Sequence, residues 1–378
     1  MRKYLLHVCF PVLFALIISF IFLLAPTAQA ASYEDEKRLE DAKEEVRKNP
    51  DDAAAHYNLG LAYSISAKDK EAIKSFKKAI KIDPDFKDAH YNLGDAYGKL
   101  GKHKKAIKSF RKAIKIDPDF KDAHYNLGNT YFESGRYEEA IESCKQAIEI
   151  DPDFAKAHVF LGDAYGRLGR YEDAIKPFKQ ATEIDPDFAK AHVFLGGAYV
   201  RLGRYEDAVK PFKQAIEIDP DFALAHDFLG LAYRESGKYK EAIESYKQAI
   251  EIDPDFALAH VNLGLAYAES GKWKEAIESY KQALRIDPDY VLAHFGLGLA
   301  YVELGENKKA IKSYKHAILI WVATVRIVPD YADAHYNLGV CYIGIRDKSS
   351  ALRQHKILKK LDTKLAKRLL GMIYTELD

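Results

Sequence analysis

Histidine is the residue type in this sequence whose spacing could do chemistry. Nine of the thirteen histidines, His56, His90, His124, His158, His192, His226, His260, His294 and His335, recur 34 residues apart, the last after a longer step. Imidazole is a metal ligand and a general base, so such a ladder invites a metal or acid–base reading. Repetition argues against it. Helices pack about 8–10 Å apart, so equivalent histidines on successive repeats stand that far apart or more, whereas zinc needs its nitrogens within about 2.0–2.1 Å of one ion. Histidines held neutral in a packed interface would have to charge below neutrality, so stability should fall as pH falls. The three cysteines, Cys9, Cys144 and Cys341, give neither a disulfide framework nor a metal spacing. No glycine-rich phosphate loop, nucleophile elbow, His-Glu-x-x-His helix or paired-cysteine zinc pattern occurs. The expectation is therefore no catalytic residue, no metal and no cofactor. With 57 Lys and Arg against 56 Asp and Glu, the net charge of +1 gives no global attraction for a phosphate backbone. Nor is any basic tract interleaved with stacking aromatics, so nucleic acid is not an expected partner.

The elements that would position these residues follow from glycine, which recurs at Gly60, Gly94, Gly128, Gly162, Gly196, Gly230, Gly264 and Gly298 with the same 34-residue step. That period is one of stacked helical hairpins. Within Lys87 to Phe120, two stretches place apolar residues at three- and four-residue spacing and read as amphipathic helices. Gly101 falls where the first helix must turn through the left-handed region. The second helix stops at Asp117-Pro118, and Asp119 is placed to cap the next helix.

The pattern Leu93-Gly94, Tyr97, Ala106, Phe110, Ala113 and Pro118 resembles the signature of the tetratricopeptide repeat family. Its Leu, Gly, Tyr and first Ala hold in all nine repeats, from Leu59, Gly60, Tyr63 and Ala72 to Leu338, Gly339, Tyr342 and Ala351. The resemblance covers about residues 53–365. It implies an all-α fold, a right-handed superhelical solenoid of helix-turn-helix repeats at 53–86, 87–120, 121–154, 155–188, 189–222, 223–256, 257–290, 291–331 and 332–365, the eighth with seven added residues. It makes the histidine slot a packing position, and it implies a concave groove lined by the first helices of successive repeats.

In the second repeat the groove slots hold Asp88, Tyr91, Asp95 and Lys99, which are mixed and polar. From the sixth repeat on they turn apolar: Leu224 and Leu231, then Leu258, Val261 and Leu265, then Leu292, Phe295, Leu299 and Val302, and last Val340 and Ile343. Asp227, Arg234, Glu235, Glu269 and Glu303 interrupt them. An exposed apolar stripe of that length is rare on a monomer unless something covers it. This half is the expected partner-binding surface for protein or peptide segments, unless superhelical closure buries part of it. The clamp by which some family members hold a C-terminal carboxylate is not matched, because Tyr57, Tyr91 or Tyr125 stands where it wants a leading lysine.

At the N-terminus Arg2 and Lys3 precede an apolar run from about Leu5 to Ala25, followed by Ala28-Gln29-Ala30. Residues 1–30 read as a signal peptide cleaved after Ala30, or residues 5–25 as an uncleaved membrane anchor. Either implies an exported chain, periplasmic or secreted, or one tethered to a membrane by that segment. Residues 31–52 read as an N-terminal capping helix. Residues 361–378 read as a closing helix whose Leu365, Leu369, Leu370, Ile373 and Leu377 cover the last core face while Lys364, Lys367 and Arg368 stay in water.

The addition in the eighth repeat lies within Ile318 to Val328, where Arg326 is the only charge. Seven residues turn a helix by only about 20° while lengthening it by about 10 Å. The extension is expected to project and dock a partner or a second copy through Trp321, Val322 and Val325. Its alternatives are folding back on the ninth repeat, looping out, or touching a membrane surface. The functional expectation is a non-catalytic protein–protein interaction scaffold or adaptor of the cell envelope or secretory pathway. The competing class is an envelope-surface module that recognises polysaccharide or cell wall through Tyr57, Tyr91 and Tyr125.

Overall fold

The computed structural model describes residues 33–377, so the signal-peptide reading of residues 1–30 and the anchor reading of 5–25 lie outside the described residues. The described residues form twenty α-helices and no strand, an all-α helical-repeat architecture. None of these helices is long and apolar enough to cross a membrane. They divide into two compact units, the first ending at Ile218 and the second beginning at Asp219.

In the first unit, α1 (Tyr33–Lys48) is followed by five hairpins: α2 (Ala53–Ile65) with α3 (Asp69–Ile82), α4 (Lys87–Lys99) with α5 (His103–Ile116), α6 (Lys121–Glu133) with α7 (Tyr137–Ile150), α8 (Ala155–Arg167) with α9 (Tyr171–Ile184), and α10 (Ala189–Arg201) with α11 (Tyr205–Ile218). The second unit holds α12 (Ala223–Glu235) with α13 (Tyr239–Ile252), α14 (Ala257–Glu269) with α15 (Trp273–Ile286), α16 (Val291–Glu303) with α17 (Asn307–Ile327), α18 (Ala332–Gly344) with α19 (Lys348–Leu361), and a last helix, α20 (Thr363–Leu377).

Seven of the nine hairpins close over a glycine because an aromatic ring of the partner helix occupies the place of its side chain; in the third repeat Cys144 stands there, its Sγ 3.1 Å from the Cβ position of Gly128. A Cβ on Gly94 would lie 2.7 Å from Cε1 of Phe110, and one on Gly230 would lie 2.7 Å from Cε1 of Tyr246. In the ninth repeat His355 replaces the ring, and the closing helix supplies the filling. Leu369 reaches to 2.5 Å of the Cβ position of Gly339, and Leu369, Met372 and Ile373 are buried. Arg368 does not simply stay in water, for its guanidinium lies 5.5 Å from the ring centre of Tyr336.

The turn slot takes positive φ throughout, from 54° at Ala67 in the first repeat to 78° at Gly271, and Lys102 N–H closes the turn on Tyr97 O at 2.9 Å. Arg346 occupies the same slot at φ 62°, with Asp347 N–H on Tyr342 O at 2.8 Å. A left-handed non-glycine residue costs about 1–2 kcal/mol, so Arg346→Gly should raise stability by about 1 kcal/mol. Urea unfolding checks it, and an unchanged midpoint would show that the turn there carries no strain.

The cap expected at Asp119 is not formed. Phe120 is the N-cap residue of α6, and the Asp119 N–H instead donates to the Asp117 carboxylate at 3.2 Å. Asp117 also ion-pairs with Lys87 at 2.6 Å, which ties the end of α5 to the start of α4. The stop signal thus belongs to the aspartate before proline, whose side chain folds over the bend it makes.

Candidate partner-binding surface

The histidine slot has a structural use that accounts for its recurrence. Each of the nine rings places Nε2 2.8–3.1 Å from the carbonyl oxygen of the proline six residues earlier, from His56 on Pro50 to His335 on Pro329. An Nε2–H donor serves this bond in the neutral and the charged ring alike, so protonation need not break it. The loss of stability at low pH argued from the sequence applies to His294, which burial holds below the ordinary histidine range, with His316 stacked on it at 5.1 Å. Its folded pKa lies below its unfolded one, so its contribution is fully present above the unfolded value and is lost as pH falls from there through the folded one. Among the described residues no three His, Cys, Asp or Glu side chains converge on a metal position. Cys144 and Cys341 are buried thiols, and burial pushes Cys144 up to about 12.

The slots read as groove positions sit on the first helices of the hairpins. In the first unit they form a polar ladder. Asn92 donates to the Tyr57 hydroxyl at 3.1 Å, and Asn126 to that of Tyr91 at 2.7 Å. The rings of Tyr57, Tyr91 and Tyr125 pack on Phe86, Phe120 and Phe154 with centroids 4.8–5.1 Å apart. Those tyrosines are therefore engaged in the fold rather than presented as free platforms.

In the second unit the apolar slots divide by exposure. Leu231, Val261, Leu265, Phe295, Leu299, Val340 and Ile343 are buried, whereas Leu224, Leu258, Leu292 and Val302 stay partly exposed. From Val261 onward the buried ones share a single core cluster, as apolar side chains within reach of one another leave water together. The docking reading of Trp321 is corrected. The added residues continue α17 as one helix, and Trp321 is 7% exposed within that cluster, with Val322 and Val325 packed against it. It follows Tyr314 and Ala317 at seven- and four-residue spacing on the face that already turns inward. The large apolar side chains that α17 turns outward are Ile311, Leu319 and Ile327.

Charge collects beside the apolar slots of α12 and α14. Asp227 accepts from Asn262 Nδ2 at 3.0 Å, in the slot where Tyr57 accepts from Asn92. Arg234 ion-pairs with Glu235, and its Nε faces Glu269 Oε2 at 3.8 Å without a hydrogen bond. The hydroxyl of Tyr246 is buried, has no hydrogen-bond partner and feels all four of these charges. Burial pushes Asp227 up to about 7 against the opposing pull of Asn262 and Arg234, and it raises Glu269 likewise. Sequence reasoning found the charges but missed the hydroxyl. The signal was there: the ring slot reads Phe76, Phe110, Phe178 and Phe212 in the first unit and Tyr246, Tyr280 and Tyr314 in the second.

Family models described as TPR repeat match residues 68–101, 94–134, 128–169, 230–271, 265–305 and 298–343, and one described as tetratricopeptide repeat matches 161–221. No curated protein sequence matches the chain. Among solved structures, the chain is similar to MamA, with 31% identity over 43% of this chain and 95% of that one and a TM-score of 0.41. It is also similar to YrrB, described as a TPR protein with an unusual peptide-binding site, with 26% identity over 50% and 96% of the two chains and a TM-score of 0.44. The C-terminal part of a TPR repeat-containing protein from Cytophaga hutchinsonii shares the fold, with 16% identity over 61% and 95% and a TM-score of 0.51. Repeats of this kind bind other proteins or peptides and are generally non-catalytic. With matches across more than half of its length, this chain belongs to the tetratricopeptide repeat family and is a protein-interaction scaffold.

Proposed function

We propose that this chain is an adaptor of the cell envelope or secretory pathway, exported or tethered through residues 5–25, that holds segments of partner proteins along α12, α14, α16 and α18. The observation that carries the reading is one slot. Leu224, Leu258 and Leu292 stand at the same position of three consecutive first helices and each keeps partial exposure, where the second to fifth repeats hold Asp88, Asp122, Lys156 and Lys190. Successive first helices offer such leucines at steps of roughly 10 Å, about three residues of an extended segment at roughly 3.3 Å each. A partner strand with an apolar residue at every third position would meet all three. The charges around Arg234 would set which polar residues fit between those anchors.

Leu258→Asp with Leu292→Asp should lower partner capture from native envelope by more than tenfold, since each buried leucine contributes about 1.5 kcal/mol or more. The leucines are only partly buried, so the variant should keep its helical ellipticity. Capture undiminished by a folded double variant would remove these helices as the binding surface.

A further inference from the structure

Helix α17 differs from the other second helices on the side that faces solvent. The slot of Leu319 holds a charged residue in every other repeat from the first to the seventh: Lys81, Lys115, Glu149, Glu183, Glu217, Glu251 and Arg285. The slot of Val328, which ends the helix, holds aspartate in each of those repeats, as in Asp117 and Asp287. Here both are aliphatic and exposed, Leu319 by 68% and Val328 by 49%. Ile327 is 82% exposed, and Ile311, whose counterparts Ile107 and Ile277 are buried, is 38% exposed. The helix contains no carboxylate. Lys308, Ile311, Lys312, Lys315, His316 and Leu319 line one shallow depression. At 3.6 residues per turn, Lys308, Lys315, Leu319 and Arg326 fall along one line of the helix.

The composition of this face selects its occupant. A second copy bringing the same face would set lysines against lysines. A protein partner would meet a surface rich in lysine, which interface centres exclude, and poor in aromatics, since Trp321 is turned inward. Aliphatic side chains standing singly among unpaired lysines match the boundary of a lipid bilayer, where the chain ends enter below the headgroups and the ammonium groups reach up to phosphate. We propose that the outer face of α17 lies on an anionic lipid surface. Each of Lys308, Lys312, Lys315 and Arg326 then adds electrostatic attraction to negatively charged headgroups, while Leu319, Ile327 and Val328 enter the apolar boundary. Helix α5 is the contrast within the molecule. Its Lys104, Lys108, Arg111, Lys112 and Lys115 line a similar depression, but Lys115 stands where Leu319 does, so that face has charge without an aliphatic anchor.

The test is local, so that attachment through the N-terminal apolar segment cannot imitate it. In the full chain with Cys9→Ser, Ala323→Cys would carry an environment-sensitive dye; the remaining cysteines, Cys144 and Cys341, are buried. Vesicles of phosphatidylcholine mixed with phosphatidylglycerol should shift the emission to the blue, and vesicles of phosphatidylcholine alone, or high salt, should not. A dye at Glu251→Cys, in the slot equivalent to Leu319, should report water throughout. Leu319→Lys with Val328→Asp restores the residue types of the other repeats, leaves folding unthreatened, and should abolish the shift. A dye at Ala323→Cys that stays in water on bound vesicles overturns the proposal. So does a shift that appears without lipid as protein concentration rises, which would assign the face to a second copy.

Discussion

Replacing Gly230 with valine is expected to lower the stability of the second unit by about 3 kcal/mol, the upper range for an overpacked core. The added Cβ would sit 2.7 Å from the ring of Tyr246, which is fully buried and packed by its own helix, so neither group can step aside without parting α12 from α13. In a repeat array each hairpin holds its neighbours through short-range interfaces, so parting one hairpin should split a single unfolding transition into two. The control is Gly98→Ala. Gly98 lies inside α4 with nothing within 4 Å of its Cβ direction, so alanine there should raise stability by about 0.5–1 kcal/mol through lower backbone entropy in the unfolded chain. Urea unfolding followed by ellipticity measures both. Equal effects at the two glycines would mean that the close approach, and not helix propensity, has been misread.

The same contrast shows what the sequence could and could not convey. A glycine every 34 residues, an aromatic sixteen positions later and a turn glycine between them fix the hairpin, and each has one packing solution. Positions facing a second layer are harder. The phase argument for the added residues of α17 keeps its inner face in register but assigns Trp321 to docking; its spacing from Tyr314 and Ala317 puts it on their inward line, where the ninth repeat and closing helix extend the core that far. The apolar groove slots pose the same difficulty. Their residue types were legible, but whether such side chains meet one another or meet water depends on distances between first helices, which no single repeat encodes. Asp227 is legible in hindsight, since Asn262 reaches it as Asn92 reaches Tyr57.

Removing the guanidinium at Arg234 is expected to have a comparable effect with a different signature. Among the described residues Arg234 is the cation paired with Glu235 and Glu269 beside Asp227, the hydroxyls of Tyr246 and Tyr239 lie in their field, and the side chains of Arg234, Glu235 and Glu269 are less than a tenth exposed. Arg234→Ala leaves three carboxylates facing one another in a dry site, and breaking a buried ion pair from one side costs about 3–5 kcal/mol. The cost should depend on pH. Burial already holds Asp227 at about 7 and Glu269 above its ordinary value, so the folded chain binds protons more tightly than the unfolded chain does. For carboxyls raised in this way, stability is full below the unfolded pKa and falls as pH rises through the folded one. Without Arg234 the folded values rise further and the fall reaches to higher pH. The gap between wild type and variant should therefore be small at acid pH, where protons neutralise the cluster, and largest above neutrality. Adding Glu269→Gln should return part of the loss at high pH and little of it at low pH. Urea midpoints measured below and above the Asp227 value decide it: a deficit of the same size at both would mean that Arg234 contributes the packing of its stem and not its charge.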